Sequence, residues 1–151
     1  MSGQQQLQQL SQEIQQIQEE IEALEEQVEG IQTEKSAADE AIDALETLES
    51  GSTVQVPLGG GAYLRAEIQD IDEAIVDIGA DYAAEFDQDG AVDALESKKE
   101  RLDDRIDEVT SEISQLETES DQLEQQAQQM QQQAMQQQMQ QMQGQGQGPD
   151  E

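Results

Sequence analysis

Apolar residues recur along the first third of the chain at alternating steps of three and four: Leu7, Leu10, Ile14, Ile17, Ile21, Leu24, Val28 and Ile31. This is a heptad stripe, with a positions at 7, 14, 21 and 28 and d positions at 10, 17, 24 and 31. The same frame continues through Lys35, Ala38, Ile42 and Leu45, with Gln and Glu on the outer positions. It predicts a helix over residues 4–50, ended by "LESGS", where Gly51 suits a left-handed cap. A second stripe runs through Val92, Leu95, Lys99, Leu102, Ile106, Val109, Ile113, Leu116, Ser120, Leu123, Ala127 and Met130. It predicts a helix over 88–142, entered near Asp87 and Asp89, whose carboxylates favour a helix N-terminus. Neither helix can bury its stripe alone, and each spans about 65 Å at 1.5 Å per residue. They are therefore expected to pair as an antiparallel coiled coil, with residues 143–151 as a disordered tail.

The polar interruptions suggest a register. If facing residue numbers sum to about 137, Ile14 meets Leu123, Val28 meets Val109 and Ile42 meets Leu95. Lys35 then lies against Leu102, and Lys99 against Ala38. The basic run Lys98, Lys99, Arg101 and Arg105 would pass beside Asp39, Glu40 and Asp43. A sum of 144 is the rival.

Between the helices the period changes to two. "TVQVPL" and "AYLRAEI" flank Gly59–Gly61, with Val54, Val56 and Leu58 on one face and Leu64, Ala66 and Ile68 on one face. Alternation around a glycine turn predicts a β-hairpin. Pro57 lacks an N–H and belongs where no ladder bond is needed. "AIVDIGADYAAEF" reads as a second hairpin, Ala74–Ile78 and Asp81–Phe86, turning at Gly79–Ala80. So thin a pair of hairpins, residues 53–86, needs another sheet to pack on, and exposed strand edges invite other chains. The insert is expected to be an oligomerisation module, through Val54, Val56, Leu58, Leu64, Ile68, Val76, Ile78, Tyr82 and Phe86.

Composition narrows the function. The formal net charge is −30, from 36 acidic and 6 basic residues. That sign repels phosphate, which argues against nucleic acid and anionic membrane as partners. There is neither Cys nor His, so thiolate chemistry, imidazole bases and the commonest metal ligands are absent. No apolar run reaches the roughly 20 residues of a membrane helix, and "MSGQQQLQQL" has none of the features of a signal peptide. A cytoplasmic location is expected. Self-repulsion at this charge density is relieved by salt, and so acidic, lysine-poor a surface resembles those of salt-loving microbes.

Helix, two hairpins, helix, with "VPLGGGAYLRAEI" followed by "VDIGADYAAEFDQDGAVDAL", resembles the α subunits of archaeal prefoldin over nearly the whole chain. The resemblance implies a fold of the α+β class: a long antiparallel two-helix coiled coil with two central hairpins forming part of an oligomeric β-barrel. It implies one prefoldin-like domain over 1–151, in a hexamer of two α and four β subunits. Such a hexamer holds unfolded proteins without ATP or any cofactor and passes them to the group II chaperonin. Phe86 stands where relatives often carry a basic residue, and the Gln-rich tail is long.

Beyond about residue 135 the second helix overruns the first. Met135, Met139 and Met142 share a helical face there, one residue out of step with the preceding stripe. Flexible, polarisable Met suits surfaces that accept many apolar shapes. With Leu7, Leu10 and Met130, these residues are the expected client-binding tip, in keeping with the family, whose clients contact the distal coil ends. The alternative is a structural coiled-coil tether that assembles through its hairpins and binds no client.

Two further patterns carry less. Residues 85–96 approach a calcium loop, with Asp87, Asp89, Gly90, Asp93 and Glu96 at ligand spacing. But Glu85 stands at the first position, where Asp is required, and a strand precedes it. "LGGGA" lacks the Lys-Ser/Thr of a phosphate loop and leads into a strand. No metal site and no catalytic residue is assigned, since nothing places two carboxylates in an apolar cleft.

Overall fold

The computed structural model describes residues 3–146. Its elements run α1 (Gly3–Thr47), β1 (Thr53–Gly59), β2 (Ala62–Glu67), β3 (Ala74–Gly79), β4 (Tyr82–Phe86) and α2 (Gln88–Gly146). Of the expected tail over 143–151, residues 143–146 are the end of α2, and 147–151 lie outside the described residues. The chain divides into two compact units. The first joins residues up to 28 with those from 108 onward, and the second is residues 29–107.

In the first unit the two stripes are the covered faces of otherwise exposed helices. Ile17 and Val109 are buried, and Leu7, Leu10, Ile14, Ile21, Leu24, Val28, Ile113, Leu116, Leu123, Ala127 and Met130 are half-buried. Ser120 interrupts the apolar run and is itself buried.

The second unit holds the only densely packed core among the described residues. Ala38 and Ile42 of α1, Val76 of β3, and Ala91 and Leu95 of α2 form one buried cluster. Ala41, Leu45, Ala74, Phe86, Val92 and Ala94 pack around it. Many of these are alanines, which let a strand come close to the helices. The register follows from two ion pairs. Lys35 Nζ lies 2.7 Å from an Asp103 carboxylate oxygen, and Lys99 pairs with Asp39. Each pair sums to 138, and Ile42 shares its cluster with Leu95, so the sum near 137 holds in this unit and 144 does not. Lys35 reaches one residue past Leu102, because a long side chain at a core position carries its ammonium out to the edge of the layer.

The helix ends are closed from a distance. The Gln88 side-chain amide donates to the carbonyls of Leu45 and Leu48, at and just past the last turn of α1, where the helix has run out of N–H donors. This stops α1 at Thr47, short of residue 50. Asp87 caps α2, its carboxylate accepting from the Gly90 N–H at 2.7 Å. A Cβ on Gly90 would lie 2.7 Å from that oxygen, so a larger residue there would have to displace the Asp87 carboxylate.

Both hairpins are two-stranded and antiparallel, and the second repeats the first at an offset of 20 residues. Val56, Leu58 and Gly59 correspond to Val76, Ile78 and Gly79. In each, pairing skips the Leu58 or Ile78 position and resumes at the glycine. In each, the two loop residues have positive φ, the signature of a type I′ turn: Gly60 (61°) and Gly61 (80°), then Ala80 (51°) and Asp81 (63°). The second loop is therefore Ala80–Asp81, one residue beyond the expected Gly79–Ala80.

Candidate functional site

Two surfaces stand out, one in each unit. In the second unit the directly opposed pair Val56 and Leu64 of the first hairpin is exposed, as are Leu58 and Tyr63. Val54, Ala66 and Ile68 are half-buried. Ile78 and Tyr82 of the second hairpin are exposed as well. Val76 and Phe86 differ from the expectation. Val76 lies in the chain's own core and Phe86 packs against it, so neither belongs to the outward surface. The preceding residue, Ile75, points to the opposite face of β3 and is 76% exposed. Alternation on one face of each hairpin points to neither Ile75 nor Tyr63. Apolar residues at adjacent positions, as in Ile75–Val76, are the signal in the sequence that marks a strand with two apolar faces.

Beside β3 runs a line of clefts. One of about 290 Å³ is lined by Ala41, Leu45, Ile75, Val76, Leu95 and Lys98 among others. The next, about 220 Å³, is lined by Asp77, Ile78, Gly79, Lys98, Arg101 and Leu102. Lys99, on the same stretch of α2, has its pKa raised above the ordinary 10.5. The hydrogen bond to Asp39 is the main cause, partial desolvation opposes it, and Glu96 and Asp103 add to the rise.

In the first unit the expected tip residues fall into two groups. Leu7, Leu10 and Met130 are half-buried, and Leu10 and Met130 line a shallow cleft of about 240 Å³ with Gln6, Gln9, Glu13 and Gln126. Met135, Met139 and Met142 are 66%, 68% and 76% exposed, with no covering element among the described residues.

The Asp87 carboxylate in the calcium-like stretch is engaged as the helix cap. Among the described residues no group of three or more carboxylates is arranged to hold a metal ion. No helix among them is long and apolar enough to cross a membrane.

Compared with known proteins, residues 17–133 match the family model described as prefoldin subunit. The chain belongs to the prefoldin family. Prefoldin α subunits from two haloarchaea are each 64% identical to it. That of Halorubrum lacusprofundi aligns over 70% of this chain and 70% of its own. That of Haloarcula marismortui aligns over 69% and 68%. The prefoldin α subunit of Methanobrevibacter smithii is 30% identical over 72% of this chain and 76% of its own. The two haloarchaeal relatives accord with the salt-adapted reading of the charge. The cryo-EM structure of filamentous PFD from Methanocaldococcus jannaschii has a similar fold, with a TM-score of 0.50 at 21% identity, covering 78% of this chain and 93% of that one. Two long helices enclosing two small hairpins are thus the prefoldin fold, of the α+β class. Prefoldins are chaperones that assemble from several prefoldin subunits.

Proposed function

We propose that the chain is the α-type subunit of an ATP-independent holdase of the cytoplasm. It assembles through its hairpins with prefoldin β subunits, two α to four β, and acts as one functional domain over 1–151. The assembly surface is Val54, Val56, Leu58, Leu64, Ile68, Ile78 and Tyr82, extended by Tyr63 and Ile75. The client surface is Met135, Met139 and Met142, with Leu7, Leu10 and Met130 at its edge. Clients are non-native polypeptides, released to a group II chaperonin. The observation that carries this reading is the row of three uncovered methionines on α2. Each such contact is weak and unspecific, which suits a holdase. Several copies in one assembly reach useful affinity by multivalency, and release needs no chemical step.

Truncation after Met130, removing residues 131–151, tests the reading. Suppression of aggregation of a denatured model protein should fall, while the number of subunits in the assembly with a β-type subunit stays unchanged. Undiminished suppression would overturn it. An assembly that forms but never suppresses aggregation, even with the full-length chain, would make the protein a tether.

A further inference from the structure

The charge of the chain is unevenly distributed. All six basic residues and all but two of the 36 acidic ones lie between Glu13 and Glu124. No charged side chain precedes Glu13, and none lies between Glu124 and Asp150. The start of α1 and the last turns of α2, both in the first unit, are therefore neutral. They are built from glutamine amides and the exposed thioethers of Met135, Met139 and Met142. Elsewhere α2 carries Asp or Glu at about half of its exposed positions, so solvation alone does not call for this change. Gln and Glu have similar helix propensity, so helix formation does not call for it either.

We propose that this neutral cap makes the client surface fit non-native chains that are themselves strongly acidic. The inference rests on the client-binding reading above and adds the charge class of the client. A helix end carrying carboxylates would meet an acidic chain with like charges at contact. Molar salt shortens the range of that repulsion to about 3 Å but does not remove it at contact distance. Amides instead offer donors and acceptors to the client's backbone, and the methionines take its apolar side chains. The rest of the chain keeps the negative charge.

The test uses the full chain assembled with a β-type subunit, in molar KCl. Its clients are one denatured model protein, unmodified and with its lysines succinylated, which turns each positive charge negative. Gln131, Gln138 and Gln143 are exposed near the methionines. Gln131→Glu/Gln138→Glu/Gln143→Glu should hold the succinylated client about three- to fourfold less well than the parent. One like-charge contact near 4 Å gives a factor of about five in water, molar salt cuts that to about 1.5, and the three substitutions offer three such contacts. It should hold the unmodified client nearly as well. The corresponding Gln→Lys triple variant should hold the succinylated client at least as tightly as the parent does. Equal holding of the succinylated client by parent and Glu variant would overturn the inference while leaving the holdase reading intact. If removal of 131–151 leaves both clients held, the holdase reading itself fails. If that removal changes the number of subunits in the assembly, the cap is a contact between subunits and the inference falls.

Discussion

The two hairpins share a turn, a bulge and a 20-residue offset, yet they are covered differently. Val76 is 6% exposed and Val56, its counterpart, is 42% exposed. The difference lies in what each valine faces. Opposite Val76 stands the small Ala84, and the helices offer Ala38, Ala41, Ala91 and Ala94. A flat strand can settle onto such a surface. Opposite Val56 stands Leu64, and this bulkier pair remains exposed. The second hairpin thus completes the core of its own chain with one face and shows Ile75 with the other. The first hairpin leaves its main apolar pair exposed. One motif used twice is packed into the core in one copy and left on the surface in the other.

An aspartate placed in each hairpin would break this comparison most sharply. Val76→Asp buries an uncompensated charge in the core cluster and should cost about 3–5 kcal/mol of unfolding free energy. Val56→Asp lies on exposed surface and should change the stability of the isolated chain by less than about 0.5 kcal/mol. It should nonetheless prevent association with a β-type subunit. Denaturant unfolding in molar KCl and a native mass measurement read the two effects. Equal destabilisation by both substitutions would mean that the hairpins are packed alike.

A smaller effect separates the turns. Ala80 adopts φ 51°, a conformation that costs a residue with a Cβ about 1–2 kcal/mol, whereas Gly60 adopts φ 61° without that cost. Ala80→Gly should therefore stabilise the second hairpin by about 0.5–1 kcal/mol, after the added freedom of glycine in the unfolded chain is subtracted. Gly60→Ala should destabilise the first by a similar amount. Thermal unfolding of both variants checks the opposite signs. A loss of stability in Ala80→Gly would show that the two turns are not energetically equivalent.

The helices are legible in the sequence because a heptad stripe repeats over many turns, so that local errors average out. The register is legible to within one residue. Periodicity sets Lys35 at Leu102, but the side chain reaches Asp103, since periodicity locates the Cα and not the end of a long side chain. The end of α1 is less legible, because Gln88, some forty residues later, supplies the donors that stop it. The partition of the hairpins is hidden for a related reason. Val56 and Val76 occupy the same place in the same local motif, and only the alanines on distant helical turns tell them apart. On the proposed client surface the three methionines are legible from spacing. The neutrality around them is equally present in the letters, but as an absence of charge that no motif marks.

The smallest expected effect concerns the platform under Val76. Lys99 lies one helical turn beyond Leu95 of the core cluster and is paired with Asp39. Its pKa is raised in the folded chain, chiefly by the hydrogen bond to Asp39. A cation with a raised folded pKa contributes stability that is fully present below the unfolded value. That contribution is lost as pH rises through the folded value. The stability difference between the parent and Lys99→Met should then be flat from neutral pH to near 10.5 and shrink above it. The pair is partly exposed and screened by salt, so the effect should be slight and larger in dilute than in molar KCl. Val56→Asp serves as the control background, since its hairpin does not join that core and the same pH dependence should persist in it. Thermal unfolding across the alkaline range provides the measurement. A difference that grows above pH 10.5, or one already varying near neutrality, would remove Lys99 from the support of the second hairpin.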